Sequence, residues 1–324
     1  MSGAPVFKHQ FVTAFALLLS ACAQAQTAPA PVLEHFGVAS VAEGAAVLSV
    51  EDEFTAVLTP ADLSIRARRV GATMAELKAV YAGAPRSWSE AERSRLESMF
   101  ARRAGQLARL AHLLPPRVLL MKSSGAADTA LPHTRGAMIN MGPTLPADDT
   151  ALDSLFFHEL FHVLSRHNSA RHDEMYALVG FEPCPLLLLD EVRARTITNP
   201  DAPLLLHAAP LGAGGRMIAP VLFAEPALYD AAHPGFADYF DLRFLAFERT
   251  AAGCAPVMAD GAPLSIAPQE AMAALYAAAG RNTDYVLHPE ELLADNFAQL
   301  MMGRTDAPNP EVQARLATWL GLGE

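Results

Sequence analysis

Residues 155–164 read Leu-Phe-Phe-His-Glu-Leu-Phe-His-Val-Leu. His158 and His162 are four apart, a spacing that puts two side chains on one face of an α-helix, one turn from each other. The stretch is apolar on nearly every side, so the helix is expected to be buried. Two histidines and a glutamate inside such a helix need polar partners. A metal ion supplies them. Zinc accepts imidazole nitrogen readily and tolerates a tetrahedral site with one open position. Glu159 follows the first histidine and stands beside that open position, where it can take a proton from metal-bound water. The bland alternative is a pair of satisfied core histidines and a solvated glutamate; it makes the HExxH spacing a coincidence.

Working outward, Ala137–Met141 reads as a strand before this helix, and Arg117–Met121 as a buried strand before that. Thr150-Ala151-Leu152-Asp153 reads as a capping box that starts the helix. Ser89-Glu90-Ala91-Glu92 is another, opening a long amphipathic helix with Leu96, Met99, Phe100, Leu107, Leu110 and Leu114 on one stripe. Thr59-Pro60-Ala61-Asp62 is a further helix start, and residues 38–58 look strand-like. Residues 180–265 are rich in Pro, Gly and Ala without strong periodicity and read as loops with short elements. Helices return at 268–279, from Pro289 to Gly303, and from Pro310 to about Gly321.

A third metal ligand is needed. A histidine five residues on, His167, comes one position too early for HExxHxxGxxH, and the glycine is absent. Asp284 is one candidate, in a loop. Residues 288–297 (HPEELLADNF) hold others: Glu291 and Asp295 share a helical face four apart. Glu291 can ligate, and Asp295 can accept the free ring N–H of a ligand histidine, which fixes tautomer and orientation. Glu290 points about 100° away from Glu291 around the helix and reads as a solvated first-turn carboxylate.

HExxH with a downstream ExxAD resembles the gluzincin superfamily, the thermolysin-like zinc peptidases. The resemblance covers 158–162 and 291–295, not the intervening region. It implies zinc held by His158, His162 and Glu291, Glu159 as general base and proton shuttle, and Asp295 behind a ligand. It also implies an α+β, zincin-like fold: a mixed sheet upstream, a mainly helical part downstream, and an edge strand at Ala137–Met141 to hold extended substrate. Peptide or protein is the implied substrate. His288 and Tyr285 are candidates to stabilise the developing oxyanion. Arg166, His167 and Arg171 either bind a substrate carboxylate or serve the helix C-terminus. Asp190 and Glu191 read as a strand end.

The amino terminus reads as an export signal. Lys8 precedes an apolar run, Phe11–Ala21, too short to span a bilayer. Leu19-Ser20-Ala21-Cys22 resembles the lipobox of bacterial lipoproteins, which implies a lipid on Cys22 and a place at the outer membrane, on its periplasmic side, or at the cell surface. Ala23-Gln24-Ala25 offers a competing cleavage site and a soluble exported enzyme. The expected organisation is a signal over 1–21, a spacer over 22–36 and a catalytic domain over 37–324. Cys184 and Cys254 then remain as an even pair and are expected to form a disulfide.

Composition narrows the rest. The 324 residues are 52% hydrophobic, enough for a large core. Acidic residues outnumber basic ones, 35 to 24, and no basic patch with interleaved aromatics exists. Nucleic acid is therefore excluded as a partner, and a membrane enters only through the lipid. Two other readings stay open: a zinc-bearing binding or assembly lipoprotein without catalysis, and a zinc hydrolase of a non-peptide amide.

Overall fold

The computed structural model describes residues 30–126 and 128–323. The expected signal, Cys22 and most of the expected spacer lie outside the described residues. The fold begins before residue 37: Ala30–Leu33 is a helical turn, and Val32 and Phe36 are buried in the main core. The spacer expected to run to residue 36 therefore ends earlier, because Val32 and Phe36 have apolar neighbours to pack on.

The upstream sheet is mixed. Its strands run in the order Phe36–Val38, Val118–Ser123, Met138–Asn140, His133–Arg135, with the first three parallel and the last antiparallel. Pro85–Arg86 pairs with the far end of Val118–Ser123. The free edge is thus His133–Arg135, not Ala137–Met141, whose strand lies between two partners. The polar loop containing His133 folds back and adds its own strand outside. Residues 38–58 are not strand-like beyond Val38. Capping boxes at Ser40/Glu43 and Asp52/Thr55 open the helices Val41–Ser49 and Glu53–Ala56 and decide the local structure.

The long helix Glu90–Leu110 lies against the helix Asp149–His167, and Asp153 accepts from Arg102 and Arg103 at 2.8 Å. Asp153 is therefore a cross-helix ion partner. The N-cap is Asp148, whose Oδ1 accepts from the Thr150 and Ala151 N–H groups, not the Thr150 box read from the sequence. Phe156, Phe157, Leu160, Phe161 and Leu164 are fully buried, and Pro289–Met301 packs across this helix.

Residues 180–265 are not mainly loop. Arg216–Ala224 and Phe240–Thr250 form a long antiparallel pair at the centre of a second, six-stranded sheet, so the downstream part is not mainly helical. The pattern was hidden because Met217–Val221 is buried on both faces and shows no alternation, and Pro220 sits inside a strand that proline usually avoids. Asp190 starts the short helix Asp190–Arg193 and does not end a strand. Cys184 and Cys254 are bonded, with Cα atoms 5.4 Å apart, fastening the edge of this sheet to the 184–188 segment. No helix among the described residues is long and apolar enough to cross a membrane.

Candidate metal centre

His158 and His162 project from one face of their helix toward the Pro289–Met301 helix, with ring centroids 5.0 Å apart. Glu291 Oε2 lies 3.2 Å from His158 Nε2 and 3.6 Å from His162 Nε2. Donors about 2.0–2.1 Å from a tetrahedral ion stand roughly 3.3 Å from each other, so the two distances to Glu291 Oε2 match edges of such a site, and all three donors lie within 4.8 Å of one another. His162 Nε2 is buried without a hydrogen-bond partner, which a ligand nitrogen awaiting its ion would be. The donor set fits a divalent cation on both counts.

Each candidate ligand is held from behind. Asp295 Oδ1 accepts from His158 Nδ1 at 2.8 Å, and its other oxygen accepts from Thr283 Oγ1. Glu290 corrects the sequence reading: it is 1% exposed, and its Oε1 accepts from His162 Nδ1 at 3.0 Å. Glu290 Oε2 accepts from Ser165 Oγ at 2.7 Å and Tyr176 OH at 2.8 Å. The rotation of about 100° between consecutive helical residues, read as turning Glu290 to solvent, turns it instead to the second histidine. Asn199 Nδ2 donates to Glu291 Oε1 at 2.5 Å and leaves Oε2 facing the imidazoles.

Glu159 is 3% exposed, and its Oε2 has no partner. Burial, then the nearby Asp201 charge, holds its carboxyl above the usual range. Asp201 titrates low; burial works against this, but His162, His133 and Arg166 outweigh it. Burial also opposes charge on both rings. In the metal-free protein, hydrogen bonds donated to Asp295 and Glu291 overcome it and raise His158 to about 11. The Asp201 and Glu291 charges, with Glu290, raise His162 to about 9.

A cavity of about 460 Å³ opens onto these groups. Tyr285 lines it, its ring stacked 6.1 Å from that of His158. Burial and Glu291 push its hydroxyl pKa up, so it stays a donor. His288 is not brought to this cavity. It is the buried N-cap of the Glu291 helix, its Nδ1 accepting from Glu290 N–H at 3.1 Å, and it lines an adjoining space instead. Burial pushes its pKa down to about 3, so the ring is neutral. Asp284 accepts from Tyr276 OH and belongs to no metal-capable group among the described residues.

Arg166 does not face the cavity; it binds Glu53, Thr134 Oγ1 and the Pro200 carbonyl. Arg171 pairs with Glu174 and stacks on Trp319, and His167 is exposed at the helix end. Asn199, Asp201 and Tyr176 went unnoticed in the sequence. Asn199-Pro200-Asp201 looks like an ordinary turn, and only the fold carries it to the candidate metal centre.

No protein-family model matches the chain, and neither a curated protein nor a solved structure matches it.

Proposed function

We propose that this chain is a zinc-dependent hydrolase of the zincin type and acts as a peptidase. The observation that carries the reading is the convergence of His158 Nε2, His162 Nε2 and Glu291 Oε2 beside a buried glutamate with a free oxygen. Two imidazoles and a carboxylate suit zinc, which when bound supplies a Lewis acid and an acidified water. The chain's own groups do the rest. Glu159 Oε2 takes the proton of the attacking water and returns it to the departing amine. Its unpartnered oxygen, buried beside the three donor atoms, is placed for both transfers. Tyr285 donates to the oxygen that gains charge. The cavity is walled by Leu155, Leu287 and Phe240, which exclude water and accept an apolar side chain. Export as a Cys22 lipoprotein completes the proposal, and the Cys184–Cys254 bond suits an oxidising compartment.

The test is Glu159→Gln, assayed by zinc content and by digestion of a peptide library. Retained zinc with lost cleavage supports the reading; full cleavage overturns it. A wild-type protein that binds zinc and cuts no peptide, yet hydrolyses other amides, points to the non-peptide alternative.

A further inference from the structure

Residues 196–201 cross between the free edge of the upstream sheet and the metal centre. Asp62 accepts from Thr198 N–H at 3.1 Å and Thr198 Oγ1 at 2.7 Å, and Arg66 donates to the Thr198 carbonyl. With Thr198 fixed, Asn199 reaches Glu291, and Asp201 Oδ1 accepts from Thr134 N–H and Oγ1, each at 2.7 Å. Thr134 lies opposite Ile139 in the antiparallel pair, and its N–H points away from that partner. It is the donor an extended peptide needs in order to add itself to this edge. Asp201 already holds it, so a chain cannot thread along the edge past Thr134. A chain end can still enter from the cavity.

The permanently charged side chains lining that entrance are all acidic, although Arg166 stands behind Thr134. Among the described residues lining the cavity there is no Lys or Arg, whereas Asp128, Asp201 and Asp295 are present. Asp128 is paired with buried Arg66, and Asp295 with His158, but Asp201 Oδ2 is left over after Thr134 takes Oδ1. Asp201, Glu159 and His162 bring ligand-capable atoms within 4.8 Å of each other, and Glu159 Oε2 is buried with no partner. Such a mouth favours a cation and repels a carboxylate.

We infer that Asp201 Oδ2 binds the free ammonium of a substrate's first residue, so that the site trims the amino end of short peptides and does not cut within extended chains. This rests on the peptidase reading above. Water adds its oxygen to the first carbonyl carbon, the first peptide C–N bond breaks, and the water proton passes through Glu159 to the departing nitrogen. The released residue keeps its ammonium on Asp201 until it leaves.

Two peptides of one sequence, one with a free amino end and one acetylated there, test this on the zinc-loaded protein. The free peptide should lose its first residue, and the acetylated one should react about 10- to 100-fold more slowly, as a lost charge-assisted hydrogen bond implies. Asp201→Asn should narrow that ratio through KM with zinc content unchanged. Leucine hydroxamate and its N-acetyl form repeat the comparison without turnover or substitution, by calorimetry; the free amine should bind more tightly by a similar factor. Equal cleavage of both peptides, cuts confined to interior bonds, or equal binding of the two hydroxamates overturns the inference. Tighter binding of the free-amine hydroxamate with no peptide cut keeps the amine site and rejects the peptidase reading.

Discussion

Glu290→Gln replaces one oxygen of a buried carboxylate by a donor. In the native site three donors converge on Glu290: His162 Nδ1, Ser165 Oγ and Tyr176 OH. A glutamine has one oxygen for them. If that oxygen stays with Ser165 and Tyr176, the amide NH₂ faces His162 Nδ1 and drives the ring to the other tautomer, whose Nε2 carries hydrogen and cannot ligate. If the amide turns over, two buried hydroxyls lose their acceptor, at about 1–3 kcal/mol each. Both outcomes weaken the metal site. Groups in this position behind a ligand histidine typically carry about 10- to 100-fold in metal affinity, or about 1.4–2.7 kcal/mol. Competition with a chelator of known affinity reads the change directly, and urea unfolding of the metal-free variant separates lost ligation from lost packing. A zinc affinity equal to that of the native protein would refute the assignment of Glu290 as the group that fixes His162.

Four further measurements test other parts of the structure. Asn199→Ala frees Glu291 Oε1 and should weaken zinc binding by about tenfold in the same competition assay; no change would mean that the 2.5 Å contact does not orient the ligand. Zinc binding at pH 7 should release at least the Nε2 protons of His158 and His162, whose metal-free values are about 11 and about 9. Calorimetry in buffers of different ionisation enthalpy counts them, and the count should fall as pH rises past about 9. Because both values are raised, the stability these rings give the metal-free protein is complete below about 6.5 and is lost as pH climbs through about 9 and then about 11, which pH-dependent unfolding checks. Replacing Cys184 and Cys254 by alanine opens a covalent loop of 70 residues and should lower stability by about 4 kcal/mol in urea unfolding; an unchanged midpoint would remove the disulfide from the account.

The parts legible in the sequence share a cause: they are local and periodic. His158 and His162 are one helical turn apart, and Glu291 and Asp295 are another such pair, so each half of the site can be read without knowing the fold. The helix ends at Thr59, Ser89, Pro268 and Pro289 were likewise written in cap residues and first-turn prolines. Long-range contacts decide the rest. Asp153 looks like the last member of a capping box but answers Arg102 and Arg103 on another helix. Glu290 looks solvated until the Ser165 and Tyr176 hydroxyls are packed onto it. Asn199 and Asp201 gain their meaning only from the buried Asp62–Arg66 pair that holds Thr198, a contact between segments over a hundred residues apart. The Arg216–Ala224 strand lacks alternation because both its faces are covered, which no local pattern records.

The most direct test of the central claim is metal content with X-ray absorption on the purified protein. The account predicts one zinc per chain bound by two imidazoles and one carboxylate, with a light-atom donor in the remaining position, and loss of that zinc on substituting His158 or Glu291 by alanine. A protein that takes up no zinc, or whose zinc survives Glu291→Ala with the same coordination, would contradict it.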